Sequence, residues 1–287
     1  MTSAPQAAAA GQIVLGPDLT VNRLGFGAMR LTGRGIWGAP SDIPAVCRVL
    51  QRAVNLGVNF IDTADSYGPG VSEEIIARAL YPYSPDLIIA TKGGLTRPGP
   101  DVWNRNACPE HLREACESSL RRLRRDRIDV YQLHAPDPRV PLEDSIGELL
   151  RMQKEGKIRH IGVSNVSVDE LRRARGLANI VSVQNRYNLE DRRSDPVLAH
   201  CEAHDIAFIP WAPLGSGRHA TESSSMRALA RVADRYGVTI GQAAIAWLLE
   251  RSTLMLPIPG TASIKHFEEN IAAAALRLTA QDMHELG

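Results

Sequence analysis

Short apolar runs alternate along this chain with longer stretches in which apolar residues recur every three or four positions. The runs have the character of strands buried on both faces of a parallel sheet, and the longer stretches have the period of amphipathic helices. Residues 12–21 alternate and break at Gly16-Pro17-Asp18, which predicts a β-hairpin ahead of the main fold. Residues 23–29 read as the first core strand, with Gly25 and Gly27 placed where something approaches the backbone closely. Ser41 and Asp42 are N-cap positions for a helix that carries Pro44 in its first turn and Val46, Leu50, Ala53 and Leu56 on one face, closed by Gly57. A strand then ends at Asp62, and the unit recurs. Helices are predicted over 72–80, 109–123, 141–156, 168–174 and 195–204, and strands over 87–92, 129–134, 160–165, 180–185 and 207–211. Helices over 225–236 and 240–250 precede a strand over 254–260, and helices over 266–275 and 280–286 close the chain.

Strict strand-then-helix alternation demands a parallel sheet, and eight units of this size predict an α/β fold, a (β/α)8 TIM barrel with an N-terminal β-hairpin. No linker, charge block or low-complexity segment divides it, so residues 12–287 read as one barrel domain, with 215–225 a long loop and 1–11 a frayed, disordered tail. That tail is rich in alanine but has no basic segment or apolar core, so it does not read as a signal peptide. The net charge of +1 gives no electrostatic case for nucleic acid or an anionic membrane. No apolar run approaches the ~20 residues of a membrane span. Cys47, Cys108, Cys116 and Cys201 are scattered, as buried thiols in a reducing compartment are, which points to the cytoplasm and away from a zinc site.

In such barrels the active site lies at the C-terminal ends of the strands, so the residues at those tips become the candidates. Phe60-Ile61 runs into Asp62, with Tyr67 in the following loop; a second strand ends on Lys92 and a third on His134. Tyrosine, with an ordinary pKa of about 10, is a poor proton donor near neutrality. A lysine ammonium within ~4–6 Å is expected to lower that value. Asp62 would hold Lys92 charged and aimed, and His134 could orient a carbonyl oxygen. Taken singly, Asp62 is a turn or cap residue, His134 a structural histidine and Tyr67 rim packing. Lys92 resists such a reading, because a lysine on a core strand is costly unless paired. Together the four protonate an oxygen as it gathers negative charge.

The motifs Asp62-Thr63-Ala64-Asp65-Ser66-Tyr67-Gly68, Thr91-Lys92, Gln132-Leu133-His134 and Gly162-Val163-Ser164-Asn165 resemble those of the aldo-keto reductases, in order and with barrel spacing, from Arg23 to about Leu276. The resemblance places Asp62, Tyr67, Lys92 and His134 on the family's catalytic tetrad, with Tyr67 as general acid. It implies transfer of a hydride from C4 of a reduced nicotinamide to the carbonyl of a small-molecule aldehyde or ketone. It also implies a cofactor site. Ser164, Asn165 and Gln184 match residues that bind the carboxamide, Trp211 an aromatic ring stacked on the nicotinamide, and Pro213, Leu214, Ser216 and Gly217 a loop around the pyrophosphate. Gly27, Ala28, Met29 and Asp62 fall beside it. Gly260, Thr261, Ser263, Lys265 and His266 match the 2′-phosphate end, and Glu269 and Asn270 face adenine. Many members carry arginine where His266 stands, but Lys265 adds a fixed positive charge, so NADPH is expected over NADH. Gly25-Phe26-Gly27 is not continued as G-x-G-x-x-G, so a Rossmann fold has no support.

Met29, Trp37 and Trp103 follow the first and third strands, where they either line an apolar or aromatic substrate pocket, beside Tyr67 and His134, or pack the loops. Val21 to Met29, Gly38-Ala39-Pro40-Ser41-Asp42 and Val183-Gln184-Asn185-Arg186-Tyr187-Asn188 look like the bacterial branch that includes pyridoxal reductases, which makes pyridoxal the first substrate to try. The reading from another class is a non-catalytic nicotinamide-binding subunit, like the channel β-subunits that resemble this family. An intact tetrad argues against it, since a sensor needs no proton donor. Aldolase chemistry through a Lys92 Schiff base would need a neutral lysine, and Asp62 opposes that.

Overall fold

The structure, a computed structural model, describes residues 6–215 and 223–287. A hairpin of β1 (Gln12–Leu15) and β2 (Leu19–Asn22) leads into a short barrel strand β3 (Phe26–Gly27), then α1 (Ile43–Asn55), β4 (Phe60–Asp62), α2 (Val71–Leu80) and β5 (Ile88–Gly93). A second hairpin, β6 (Leu95–Gly99) and β7 (Val102–Arg105), interrupts the alternation before α3 (Pro109–Leu123) and β8 (Ile128–Leu133). There follow α4 (Leu142–Lys154), β9 (Ile158–Ser164), α5 (Val168–Leu177), β10 (Ile180–Arg186), α6 (Asp195–Glu202) and β11 (Ala207–Trp211). The chain finishes with α7 (Ser224–Tyr236), α8 (Ile240–Arg251), α9 (Ile264–Ala272) and α10 (Ala280–Leu286). The caps fit the sequence: Asp42 Oδ1 accepts from the Ala45 amide at 2.8 Å to start α1, and Ser167 with Glu170 boxes the start of α5.

Seven strands form one curled parallel sheet in the order β3-β4-β5-β8-β9-β10-β11, and the result is a (β/α)8 barrel. The eighth strand expected over 254–260 does not form a ladder; a single bridge joins Met255 to Phe208. On that side Phe208 N–H donates to Leu254 O and Leu256 N–H to Phe208 O, each at 2.9 Å, and on the other Gly25 N–H donates to Pro257 O at 3.0 Å. Pro257 and Pro259 have no N–H to donate, so the seam is sparse by chemistry. Arg23 stiffens it from outside the ladder, donating to Leu249 O at 2.6 Å, Ser252 O at 2.5 Å and Met255 O at 3.3 Å.

The glycines of the first strand serve this seam. A Cβ on Gly27 would lie 2.6 Å from Ile258 O, and one on Gly260 would collide with Gly27 O. Gly27→Ala is therefore expected to destabilise the fold by about 1–3 kcal/mol. Gly147→Ala, on a helical position facing open space, is expected to gain about 0.5–1 kcal/mol. Urea denaturation of both variants checks this, and equal shifts would reject the seam contact.

The barrel interior holds Phe60, Ile88, Ala90, Val130, Val181, Ala207, Ile209, Leu256 and Ile258, and the β1–β2 hairpin adds Ile13, Leu15, Leu19 and Val21 to the same cluster. That cluster fills the barrel and leaves polar chemistry to the opposite, C-terminal tips. The frayed tail expected over 1–11 gives way over its described part: Ala7–Ala10 make a 3₁₀ turn, with Ala7 and Ala10 buried and Ala7 N–H donating to Leu56 O at 2.9 Å. Alanines at these positions are small enough to let backbone close on backbone. Among the described residues no helix is long and apolar enough to cross a membrane.

Candidate active site

Parallel register sets the tips of β4, β5 and β8 side by side, pairing Asp62 with Ala90 and Lys92 with Gln132. Lys92 is fully buried, and its Nζ donates to both oxygens of Asp62 at 2.8 Å and to Thr63 O at 2.7 Å. All three ammonium hydrogens are thereby used. Burial pushes the lysine down and the carboxyl up, while each partner's charge and their hydrogen bonds pull them back. The ion pair is the form in which every one of these donors is matched. His134 follows β8 directly, anchored by its amide on Gly93 O at 2.8 Å. Tyr67 rides on a folded turn in which Tyr67 N–H donates to Ala64 O at 3.2 Å and Gly70 N–H to Asp65 O at 2.6 Å.

Lys92 Nζ lies 5.2 Å from the centroid of the Tyr67 ring. The expectation that this ammonium acidifies the phenol is not met. Burial first, then the charges of Asp62 and Asp65, push Tyr67 well above its ordinary value of 10. Asp62 neutralises the lysine at short range, so little of its charge reaches the phenol. Tyr67 is therefore held protonated, and its hydroxyl bonds to none of the described residues. Burial, reinforced by Lys92, likewise drives His134 well below 6.5, so the imidazole is neutral. Ser66 Oγ stands 3.4 Å from His134 Nδ1; with the hydroxyl donating to Nδ1, the ring hydrogen sits on Nε2. Tyr67, His134 and Trp103 form an aromatic corner with centroids 6.0, 6.3 and 6.4 Å apart and interplanar angles of 82°, 83° and 69°. The Trp37 ring centroid lies 5.8 Å from the guanidinium of Arg97.

The residues expected to hold a carboxamide form a continuous chain with the ion pair. Gln184 Nε2 donates to Asp62 Oδ1 at 2.7 Å, Ser164 Oγ to Gln184 O at 2.7 Å, Asn165 Nδ2 to Ser164 Oγ at 3.1 Å and Trp211 Nε1 to Asn165 Oδ1 at 3.0 Å. The direct bond from Gln184 to Asp62 was not visible in the sequence. It leaves Gln184 Oε1 with no donor among the described residues. Asn165 takes a left-handed φ of 57°, which asparagine tolerates, and Trp211 is half-buried. Ala28 is buried and Met29 half-buried after β3; Pro213 is buried and Leu214 half-buried. Ser216 and Gly217 lie outside the described residues.

At the far end, Ser263 caps α9 by accepting from the His266 amide, and Thr261 Oγ1 accepts from Ser263 N–H at 3.1 Å. Lys265 and His266 are exposed, and Glu269 is half-buried. Asn270 is only 8 % exposed, yet its carboxamide bonds to none of the described residues. Unmatched amide edges at Gln184 and Asn270 fit a ligand that brings its own donors and acceptors, as a nicotinamide and an adenine do.

Arg97 escaped sequence reasoning, together with its hairpin. The turn signal was present in Pro98-Gly99-Pro100-Asp101, but the flanking strands have no apolar face to mark them. Its guanidinium lies 3.6 Å from the centroid of the Trp103 ring.

A family model described as the aldo/keto reductase family matches residues 23–287. The chain is 49 % identical over 280 residues to the uncharacterized oxidoreductase C215.11c of Schizosaccharomyces pombe, covering 98 % of this chain and 90 % of that one. It is 44 % identical over 275 residues to pyridoxine 4-dehydrogenase of Escherichia coli, covering 93 % of this chain and 94 % of that one. Among solved structures, an aldo-keto reductase from Klebsiella pneumoniae in complex with NADPH superposes with a TM-score of 0.82 at 26 % identity, covering 96 % of this chain and 93 % of that one.

Proposed function

The chain belongs to the aldo/keto reductase family and is an NAD(P)H-dependent oxidoreductase acting on carbonyl and alcohol groups, and from that premise we propose that it reduces an aldehyde or ketone with NADPH, Tyr67 supplying the proton. The observation that carries this is the meeting, at the strand tips, of a protonated Tyr67, a neutral His134 and the buried Asp62–Lys92 pair. The residues of the chain from Gln184 to Trp211 would hold a reduced nicotinamide, which would supply the hydride. Gln184 Oε1 is the free acceptor for a carboxamide N–H, and Asn165 fixes the plane of the Trp211 indole through Nε1.

The roles divide by chemistry. His134 donates from Nε2 to the substrate oxygen and orients the carbonyl without bringing a charge. Tyr67 gives its hydrogen to that oxygen as it becomes an alkoxide, a far stronger base than a phenolate, so the raised pKa of the phenol does not bar the transfer. Lys92, with Nζ 5.2 Å from the centroid of the Tyr67 ring, and Asp62, which holds it there, fix the floor against which the phenol is placed. Lys265 and His266 stand exposed where an anionic 2′-phosphate would add charge pairing, which favours NADPH over NADH.

Pyridoxal is the substrate to try first, because the relative from Escherichia coli is named for pyridoxine oxidation at C4. A non-catalytic binding subunit would have no use for a proton donor at Tyr67. Four free cysteines support a reducing compartment and hence the cytoplasm. The test is loss of NADPH absorbance over a panel of aldehydes and ketones with pyridoxal included. The expected result is turnover of pyridoxal and a higher kcat/KM with NADPH than with NADH; a bound cofactor with no turnover of any carbonyl would sink the reading.

A further inference from the structure

Arg97 is buried to 8 % exposure beside the aromatic corner, and no carboxylate hydrogen-bonds to it. Its Nε donates to Val102 O at 2.8 Å, Nη1 to Ile36 O at 3.0 Å and Ser66 O at 3.1 Å, and Nη2 to Gly35 O at 2.8 Å and Gly99 O at 3.4 Å. A guanidinium has five N–H donors and no acceptor, so all five are engaged. The acceptors belong to three separate segments: the β6–β7 hairpin, the loop after β3 and the turn that carries Tyr67. With no donor left over, the cation that sits beside the pocket is not a receptor for an anionic substrate.

We propose that Arg97 is a positioning residue. It ties the hairpin to the Tyr67 turn and clamps Trp103 against Tyr67 and His134, so that the indole forms a fixed wall selecting carbonyls with a flat, aromatic substituent. The assignment of substrate class rests on the reductase reading above; the clamp itself does not. A carbonyl oxygen placed between Tyr67 and His134 must lay its substituent along Trp103, the third ring of the corner. An aromatic aldehyde gains from a wall held still, whereas a short aliphatic aldehyde does not reach far enough to use it.

Arg97→Lys is the informative change, because one ammonium cannot span three segments or stack flat on an indole. In the presence of NADPH, kcat/KM for benzaldehyde is expected to fall about 10-fold or more beyond any loss on propanal, with the additional loss chiefly in KM. Trp103→Ala should reproduce that pattern, and the double variant should be no worse than Trp103→Ala alone. 4-Carboxybenzaldehyde should follow benzaldehyde. Equal losses on benzaldehyde and propanal, additive effects in the double variant, or a loss confined to the carboxylated substrate would each overturn the assignment. Nitrogen-resolved NMR of the wild-type protein decides the clamp without any variant having to fold. Five engaged donors should give separate, slowly exchanging Arg97 guanidinium hydrogens, and an averaged, fast-exchanging signal would refute it. If the wild type reduces none of these aldehydes, the reductase reading fails on its own and the NMR result still judges the clamp.

Discussion

Replacing Tyr67 with phenylalanine is expected to lower kcat for carbonyl reduction by roughly 10²–10⁴-fold, the usual worth of a positioned proton donor. Stability should be nearly unchanged, because the hydroxyl bonds to none of the described residues and its removal orphans no partner. The ring keeps its edge contacts with Trp103 and His134 and its place 5.2 Å from Lys92 Nζ. Affinity for NADPH, followed by calorimetry, should stay near that of the wild type, since none of the residues proposed to hold the cofactor bonds to the Tyr67 hydroxyl. Stopped-flow single turnover separates the chemical step from release. A variant that retains wild-type turnover would show that another group protonates the substrate; His134 is the obvious alternative, and its neutral ring makes it a weak acid. Loss of cofactor binding together with activity would instead mean that the phenol is structural.

The repeating strand-and-helix pattern made the barrel legible, because buried parallel strands and amphipathic helices write their periods directly into apolar positions. Its seam was less so. Leu254-Met255-Leu256 is as apolar as any strand here, but Pro257 and Pro259 remove the donors a ladder needs, and apolarity does not record that. The β6–β7 hairpin was passed over for the opposite reason: it lies at the barrel's rim, buries little, and holds its place through Arg97 and backbone carbonyls that leave no trace in side-chain pattern. At the site, Asp62, Lys92, His134 and Tyr67 could be seen because each ends or follows a strand. Their electrostatics could not. Whether Lys92 acidifies Tyr67 depends on how completely Asp62 cancels its charge and how dry the pocket is, and both are properties of three dimensions. Likewise Gln184 was visible at its strand end, but its bond to Asp62, 122 positions away in sequence, is made only by closing the barrel.

That bond matters for the second large effect. Lys92→Met should abolish activity and also destabilise the fold by about 3–5 kcal/mol at neutral pH, because it strands a buried carboxylate that keeps only the Gln184 hydrogen bond. The sign of its pH dependence is fixed by the same burial. Desolvation already raises Asp62 above its ordinary 3.8 with the lysine present, and without Lys92 the opposing attraction is gone, so its folded-state pKa rises further above the unfolded value. A carboxyl with a raised folded-state pKa favours the native state when protonated, so the variant should recover stability as pH falls from neutrality through that pKa. Adding Asp62→Leu to Lys92→Met removes the stranded charge and should restore much of the loss at neutral pH without restoring activity, and the pH dependence should flatten. Urea titrations of the single and double variants at neutral and mildly acidic pH measure all three quantities. A penalty independent of pH, or a double variant as unstable as the single one, would mean that Lys92 stabilises the barrel through its packing and not through the charge it neutralises. The Asp62–Lys92 pair would then owe nothing to burial, and the strand tip could have carried any polar residue.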